Sequence, residues 1–211
     1  MKLLDLFCGA GGAAIGYSRA GFDEIVGVDN RPMPRYPFAF VLGDALEYCR
    51  EHGAEFDAIH ASPPCQFGSV LTPMAYRPHH PNLIPQTRQA LIESGTPYII
   101  ENVPNVRRHL INPVMLCGSM FGLGVWRHRF FELSFGFFIT PSCDHSNVPI
   151  LISGTRSRDN ERYEHTAQQC RDASGLSWMT RMEMDQAIPP AYTEYIGRYL
   201  IAHIESKRET V

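Results

Sequence analysis

Apolar residues come in short runs, each closed by glycine, aspartate or proline, and these runs alternate with stretches whose apolar positions recur at helical spacing. The first run, residues 2 to 7 (KLLDLF), ends at a glycine turn. The AAIGYSRA that follows reads as a helix, and Gly21 stops it in the manner of a C-cap. The alternation continues through EIVGVD (24 to 29), AFVLGD (39 to 44), a helical ALEYCREHG (45 to 53) and FDAIHA (56 to 61). A helical TRQALIESG (87 to 95) then leads into PYIIENV (97 to 103). Strands separated by helices predict an α/β fold, a mostly parallel sheet covered on both faces, with ligands gathered at the carboxyl ends of the strands.

Residues 62 to 86 contain six prolines and no helical period, which predicts a long loop directly after a strand, the kind that is usually functional. Residues 126 to 139 (WRHRFFELSFGFFI) are aromatic and β-prone and predict a hairpin, whereas residues 140 to 175 are polar and the least readable part. From Thr193 to about Glu209 the apolar positions Tyr195, Ile196, Tyr199, Leu200 and Ile204 predict an amphipathic helix preceded by the stop signal Pro189-Pro190.

Composition narrows this picture. At 211 residues there is room for one well-buried domain and a small appendage, and 44% apolar with 19% charged residues is globular. No apolar run approaches the roughly 20 residues that span a bilayer, and the start lacks the apolar region and cleavage site of a signal peptide. Six scattered cysteines lack the close pairing of a secreted scaffold, so reduced thiols in a cytoplasm are expected. A net charge of −3 provides no global field for nucleic acid, so local charge must supply one. Of 19 basic residues 17 are arginine, clustered at Arg107 and Arg108, at Arg127 and Arg129, and at Arg156, Arg158 and Arg162, and arginine suits bidentate contacts to phosphate. Solvated faces account for any single cluster equally well.

Two sets of residues carry candidate chemistry. Gly9, Gly11 and Gly12 sit between the first strand and a helix, where glycine lets backbone approach a ligand. Asp29 ends the second strand 20 residues after Gly9, in position to accept hydrogen bonds from ribose hydroxyls, and Asp44 ends the third in the same way. The run from Phe7 to Gly12 is not the GxGxxG of dinucleotide sites, so a cofactor with adenosine but no pyrophosphate fits better, with Phe7 packing on its apolar parts. The bland alternative is a tight turn with two strand-end acids acting as caps. At the other end of the expected cleft, Ser62-Pro63-Pro64-Cys65-Gln66 follows the fourth strand; a cysteine placed by two prolines is exposed and positioned, as a nucleophile must be. Glu101-Asn102-Val103 ends the next strand, so a carboxyl group can face the same cleft.

In order and spacing, DLFCGAGG, SPPCQ, ENV and the pair Arg127 and Arg129 resemble the motifs of the cytosine-C5 methyltransferases over residues 1 to 135. The resemblance implies a Rossmann-like S-adenosylmethionine-dependent fold, with a catalytic domain at 1–140, a small recognition insert at 141–185, and a C-terminal helix at 186–211 packing back on the core. It implies Cys65 as the nucleophile at carbon 6 of cytosine, Glu101 at ring N3 and Arg129 on the base oxygen, with Arg127 and Asn102 beside them. The implied cofactor is S-adenosylmethionine or a substituted analogue, lined by Phe7, Gly9, Ala10, Gly11, Gly12, Asp29, Asn30, Asp44, Ala45, Pro63 and Leu83. The implied reaction is methyl transfer to cytosine in DNA after base flipping, in a bacterial or phage-infected cell, within a restriction-modification system or in phage DNA modification.

Three departures from the family bear on substrate. Gln66 runs into Phe67-Gly68-Ser69, a tighter pattern; Val125 stands where the family has glutamine, and AIPPAYTEYIG replaces its carboxyl-terminal motif; and residues 140 to 185 leave space for only a small reader. A very short DNA target, a reader borrowed from a partner protein, and a free cytosine nucleotide as substrate all stay open, as does a catalytically silent nucleotide or nucleic-acid binder of the same fold. No metal is assigned. Cys143, His145, His165 and Cys170 are of zinc-ligand type, but CxH with HxxxxC is not a standard zinc spacing.

Overall fold

Lys2–Leu6 form β1, and its last four residues are all buried, the mark of a strand covered on both faces. The computed structural model describes residues 1–67, 81–136, 138–152 and 165–209. The strands that follow are β2 (Glu24–Asp29), β3 (Ala39–Leu42), β4 (Ala58–Ala61), β5 (Tyr98–Asn102), β6 (Val114–Leu116) and β7 (Arg129–Leu133). They form one sheet in the order β3-β2-β1-β4-β5-β7-β6. The first five strands are parallel, and β7 runs antiparallel between β5 and β6. This is the mostly parallel α/β architecture expected, with the order reversing between β1 and β4, where such sheets open a crevice.

The aromatic run at 126–139 departs from expectation. It provides one strand rather than a hairpin, because its partners are distant in sequence: Glu101 pairs with Phe131, Asn102 with Phe130, and Val114 with Phe131 from the other side. The aromatics after β7 pack instead of pairing. Phe135 is buried in the core, and Phe138 packs its ring on Tyr195 and Tyr199 of the C-terminal helix.

Helices α1 (Gly12–Ala20), α2 (Ala45–His52), α3 (Ile84–Ser94), α4 (Ala167–Ser174), α5 (Arg181–Gln186) and α6 (Pro190–Arg208) complete the described fold. The α3 helix starts three residues earlier than its apolar spacing implies, since Pro85 falls in the first turn, where a missing N–H costs nothing. Pro190 likewise opens α6. This last helix lies along α1, and glycines permit the approach. A Cβ on Gly16 would fall 2.0 Å from Thr193 Oγ1, and one on Gly197 would fall 2.6 Å from Ala20 Cβ. The buried Thr193 hydroxyl donates to the Ala13 carbonyl at 2.8 Å, stitching the chain's two ends together.

One helix, α4, lies in the stretch at 140 to 175 that hydrophobic periodicity leaves unread, and α5 follows just beyond it. Reciprocal capping boxes start both, Thr166 with Gln169 and Thr180 with Glu183. Together they build a satellite core of Ile152, Cys170, Ala173, Leu176, Met179 and Met184 against Ala10 and Val125. Val125 is 1% exposed there, a place where a glutamine amide would lose its hydration. The arginine cluster at 156, 158 and 162, and the Gly68-Ser69 departure with most of the proline-rich loop, lie outside the described residues. Among the described residues no helix is long and apolar enough to cross a membrane, and no disulfide joins the cysteines.

Candidate active site

The residues that follow β1, β2, β4 and β5 line one edge of the sheet: Phe7 to Gly12, Asn30, Ser62 to Phe67, and Val103. A cleft bounded by Asp57, Pro97, Ile204, Lys207 and Arg208 sits at the opposite edge and contains none of the candidate residues.

The turn after β1 is left-handed at Phe7 (φ 56°), Gly9 (φ 51°) and Gly11 (φ 83°). For a non-glycine residue such as Phe7 this costs on the order of 1–3 kcal/mol, so the surrounding structure must impose it. The Gly9 N–H donates to Asp29 Oδ2 at 3.1 Å, and the Arg31 N–H donates to Oδ1 at 3.1 Å. These bonds use two of the roughly four acceptor positions of a carboxylate. The glycines serve different ends. At Gly9 a Cβ would meet nothing within 4 Å, so the backbone there faces open space. At Gly11 it would meet Pro37 Cδ at 2.5 Å, and at Gly12 the Ile188 carbonyl at 2.4 Å, so the chain's own packing demands these two. Ala10 is buried, and its carbonyl accepts the Trp178 indole N–H at 2.8 Å.

Asp44 caps α2, Oδ1 accepting from the N–H groups of Leu46 (2.8 Å) and Glu47 (2.9 Å). The bland reading of that residue therefore describes a contact it makes. Ala45 is buried behind it, Asn30 is exposed beside Asp29, and Leu83 is the N-cap of α3.

At the other end, the buried Asn102 amide donates to the Pro63 carbonyl at 2.9 Å and fastens the Ser62 to Cys65 turn to the end of β5. Cys65 is half-buried in that turn. Glu101, 6% exposed, carries Oε1 3.0 Å from Arg129 Nε, an ion-pair contact without hydrogen-bond alignment. Burial raises the Glu101 pKa from its ordinary value, against the lowering pull of Arg129, a Ser62 hydrogen bond and Arg127. Arg127 is turned elsewhere. From a backbone at φ 29° its buried guanidinium donates to the carbonyls of Ala187 (2.8 Å), Met184 (2.9 Å) and Asp185 (2.6 Å), and burial lowers its pKa to about 9. Both Arg127 and Asn102 thus hold backbone in place, Arg127 at the carboxyl end of α5, where carbonyls lack helical partners.

The family model of the C-5 cytosine-specific DNA methylases matches residues 1–112, more than half of the chain. The chain belongs to that family. The match spans the turn after β1, the Pro63 to Cys65 turn and the end of β5, which lie at this edge. A methyltransferase of Entamoeba histolytica shares this fold at a TM-score of 0.63, with 13% identity over 96% of this chain and 98% of its own. An Escherichia coli prophage protein described as a DNA modification methyltransferase aligns with 23% identity and a TM-score of 0.46 over 62% of this chain. The present chain spans 45% of that protein's length. No curated protein sequence matches it.

A buried hydrogen-bonded chain of side chains lies behind the same edge. Tyr17 Oη lies 2.9 Å from His60 Nδ1, and His60 Nε2 lies 3.0 Å from Ser62 Oγ, which in turn bonds to Glu101. Burial depresses the His60 pKa to about 3 and raises that of Tyr17, so both are neutral. With Tyr17 donating to Nδ1, the Nε2–H donates to Ser62 and its hydroxyl is left to donate to Glu101. The signal in the sequence was a histidine in β4, whose four residues are all buried. Because the folded His60 resists protonation, its contribution to stability is complete above its unfolded pKa of about 6.5. It is lost as pH falls toward about 3, a span on the order of 5 kcal/mol. His60→Gln should flatten that part of the stability-against-pH curve measured by denaturant titration; an unchanged slope would remove His60 as its source.

Proposed function

We propose that this methylase transfers a methyl group from S-adenosylmethionine to carbon 5 of cytosine in DNA, with Cys65 as covalent nucleophile. The observation that carries the reading is the meeting of three motifs at one edge: the Cys65 turn, tied by Asn102 to β5, beside Glu101 with Arg129 in contact.

The cofactor fits the residues at the end of β1. Gly9 leaves open space above the turn, and Asp29 retains acceptor capacity for ribose hydroxyls. Phe7, Asn30, Asp44, Ala45, Pro63 and Leu83 would complete its surroundings, while Ala10, Gly11 and Gly12 shape the turn from behind. S-adenosylmethionine, when bound, supplies the electrophilic methyl. Asp29→Ala should weaken cofactor binding by roughly 1.5–3 kcal/mol, the worth of hydrogen bonds to a charged group. Calorimetry showing unchanged affinity would take Asp29 out of the site.

The chain's own groups do the rest. The Cys65 thiolate adds to carbon 6, which turns carbon 5 into an enamine carbon able to attack an electrophile. Electron density moves to N3 and O2 during that addition. A protonated Glu101, favoured by burial, gives its proton or a hydrogen bond to N3, and Arg129 offsets charge on O2. After transfer the C5 proton leaves to water and Cys65 is eliminated. Arg127 and Asn102 act as positioning residues. Arg107 and Arg108, exposed just beyond β5, supply phosphate contacts, and residues 141–185 form the small recognition element, with a partner protein as a further source of reading.

Incubation with duplex DNA containing 5-fluorocytosine tests the reading, because fluorine cannot leave carbon 5 as a proton does and the enzyme stays attached. A covalent protein–DNA adduct that requires S-adenosylmethionine is expected. An adduct with free 5-fluorocytidine nucleotide alone would replace DNA as substrate, and no adduct with either would leave only the fold.

A further inference from the structure

Four side chains outside the catalytic turn aim soft donor atoms at one point: Cys117, His128, Cys143 and His145, whose ligand atoms all lie within 4.8 Å of one another. We propose that they bind one zinc ion as a closed Cys2His2 site that braces the arginine-bearing entry to β7.

Four of the six ligand separations run from 3.0 to 3.6 Å, close to the edges of a tetrahedron around one ion. His128 Nε2 and His145 Nε2 are 3.2 Å apart. Cys143 Sγ lies 3.0 Å from His145 Nε2 and 3.6 Å from His128 Nε2, and Cys117 Sγ lies 3.3 Å from His145 Nε2. Zinc bonds of about 2.3 Å to sulfur and 2.0–2.1 Å to nitrogen place tetrahedral ligands about 3.3 Å apart for two nitrogens and about 3.6 Å for nitrogen and sulfur. Hydrogen bonding alone does not account for the cluster. His145 Nε2 contacts two thiols and an imidazole nitrogen within 3.3 Å, yet an imidazole nitrogen is a donor or an acceptor with one in-plane direction. A cation at the centre satisfies all four groups together. The Trp126 ring, stacked on His145 at 4.0 Å and 16°, fixes the orientation of that imidazole.

The donors come from three places. Cys117 follows β6, His128 stands between Arg127 and Arg129 at the start of β7, and Cys143 and His145 belong to the polar stretch beyond it. The C-x10-H-x14-C-x-H spacing is irregular, which hides the set in the sequence. Half of the ligand set considered from sequence is corrected: Cys170 is fully buried in the satellite core with its thiol toward the Leu151 carbonyl at 3.7 Å. His165 is likewise not among the converging donors. Four protein ligands leave no open position, the pattern of a structural rather than a catalytic zinc. Resting on the reading of Arg129 as a base-holding residue, the ion fixes the turn that sets its guanidinium against Glu101.

Metal analysis by plasma mass spectrometry of the full chain, expressed with zinc and purified without chelator, should find one zinc per chain. Cobalt replacement should give the intense visible bands and thiolate charge transfer of tetrahedral coordination. Cys143→Ser and His145→Ala, both at exposed positions, should lose the metal, while Cys143→His should keep it. Zinc removal should increase amide exchange at 126–131 and 143–146 and leave S-adenosylmethionine affinity within about twofold. Wild-type protein that carries no zinc and takes up none at micromolar concentration would overturn the site, as would a Cys117–Cys143 disulfide seen by peptide mass mapping. Zinc content is read without any methyl transfer, so its failure and that of the proposed reaction are separable.

Discussion

Cys65→Ser should lower methyl transfer to cytosine DNA a thousandfold or more, roughly 4 kcal/mol of transition-state stabilisation, while fold and cofactor affinity stay nearly intact. A serine hydroxyl at its ordinary pKa is almost never ionised at neutral pH, whereas a thiol is a few per cent thiolate and intrinsically more nucleophilic. The Ser62-Pro63-Pro64 backbone and the Asn102 bond to the Pro63 carbonyl do not depend on the sulfur, so the turn survives the change. Other cysteines are poorly placed to substitute. Cys8 is buried, and desolvation with the charges of Asp5 and Asp29 pushes its thiol far up, while burial raises Cys49 to about 11. The measurement is transfer of labelled methyl, with cofactor affinity by calorimetry alongside. A mutant within about tenfold of the parent would sink the covalent mechanism and reduce the family motif at Cys65 to a structural one.

Glu101→Gln should reduce kcat by about 10²–10⁴-fold and KM for DNA far less, because its proton is needed as charge builds on the ring. The pH profile separates this from a structural loss. Burial raises the Glu101 pKa in the folded protein, so the protonated form is fully present below that raised value and is lost as pH rises through it. Activity of the parent should therefore carry an alkaline limb set by Glu101, and the glutamine variant, which cannot deprotonate, should lack it. The same sign governs stability. The native state holds that proton more tightly than the unfolded chain, so this contribution is present at low pH and falls as pH rises through the folded pKa. A loss confined to KM with an unchanged limb would make Glu101 an ordinary binding residue.

The α/β fold class was legible because most of the parallel strands, β3 at the sheet edge excepted, wear their burial openly. Runs such as KLLDLF and EIVGVD are apolar on both faces, and glycine or aspartate ends each where the chain must turn. The placement of Asp29 and Cys65 at the carboxyl ends of β2 and β4 was legible for the same reason: position relative to a strand end is a local property. The capping boxes at Thr166 and Thr180 were equally local, and attention to cap chemistry rather than hydrophobic period would have exposed α4 and α5.

Other features belong to the tertiary structure alone. Neither the insertion of β7 between β5 and β6 nor the close crossing of α1 and α6 through Gly16 and Gly197 follows from any window of sequence, because each partner lies at long range. Motif order put Arg127 and Asn102 beside the base; the fold turns them onto the carbonyls of residues 184 to 187 and of Pro63, since a buried guanidinium or amide takes the nearest unpaired acceptors. The sequence by itself determined which residue types sit at the strand ends, and hence the family and the candidate nucleophile. Which of those side chains face the cleft, and that Cys117 and His128 rather than His165 and Cys170 join Cys143 and His145, only the tertiary structure decided. Side-chain direction and the meeting of distant segments are set by packing across the whole core, not by spacing along the chain.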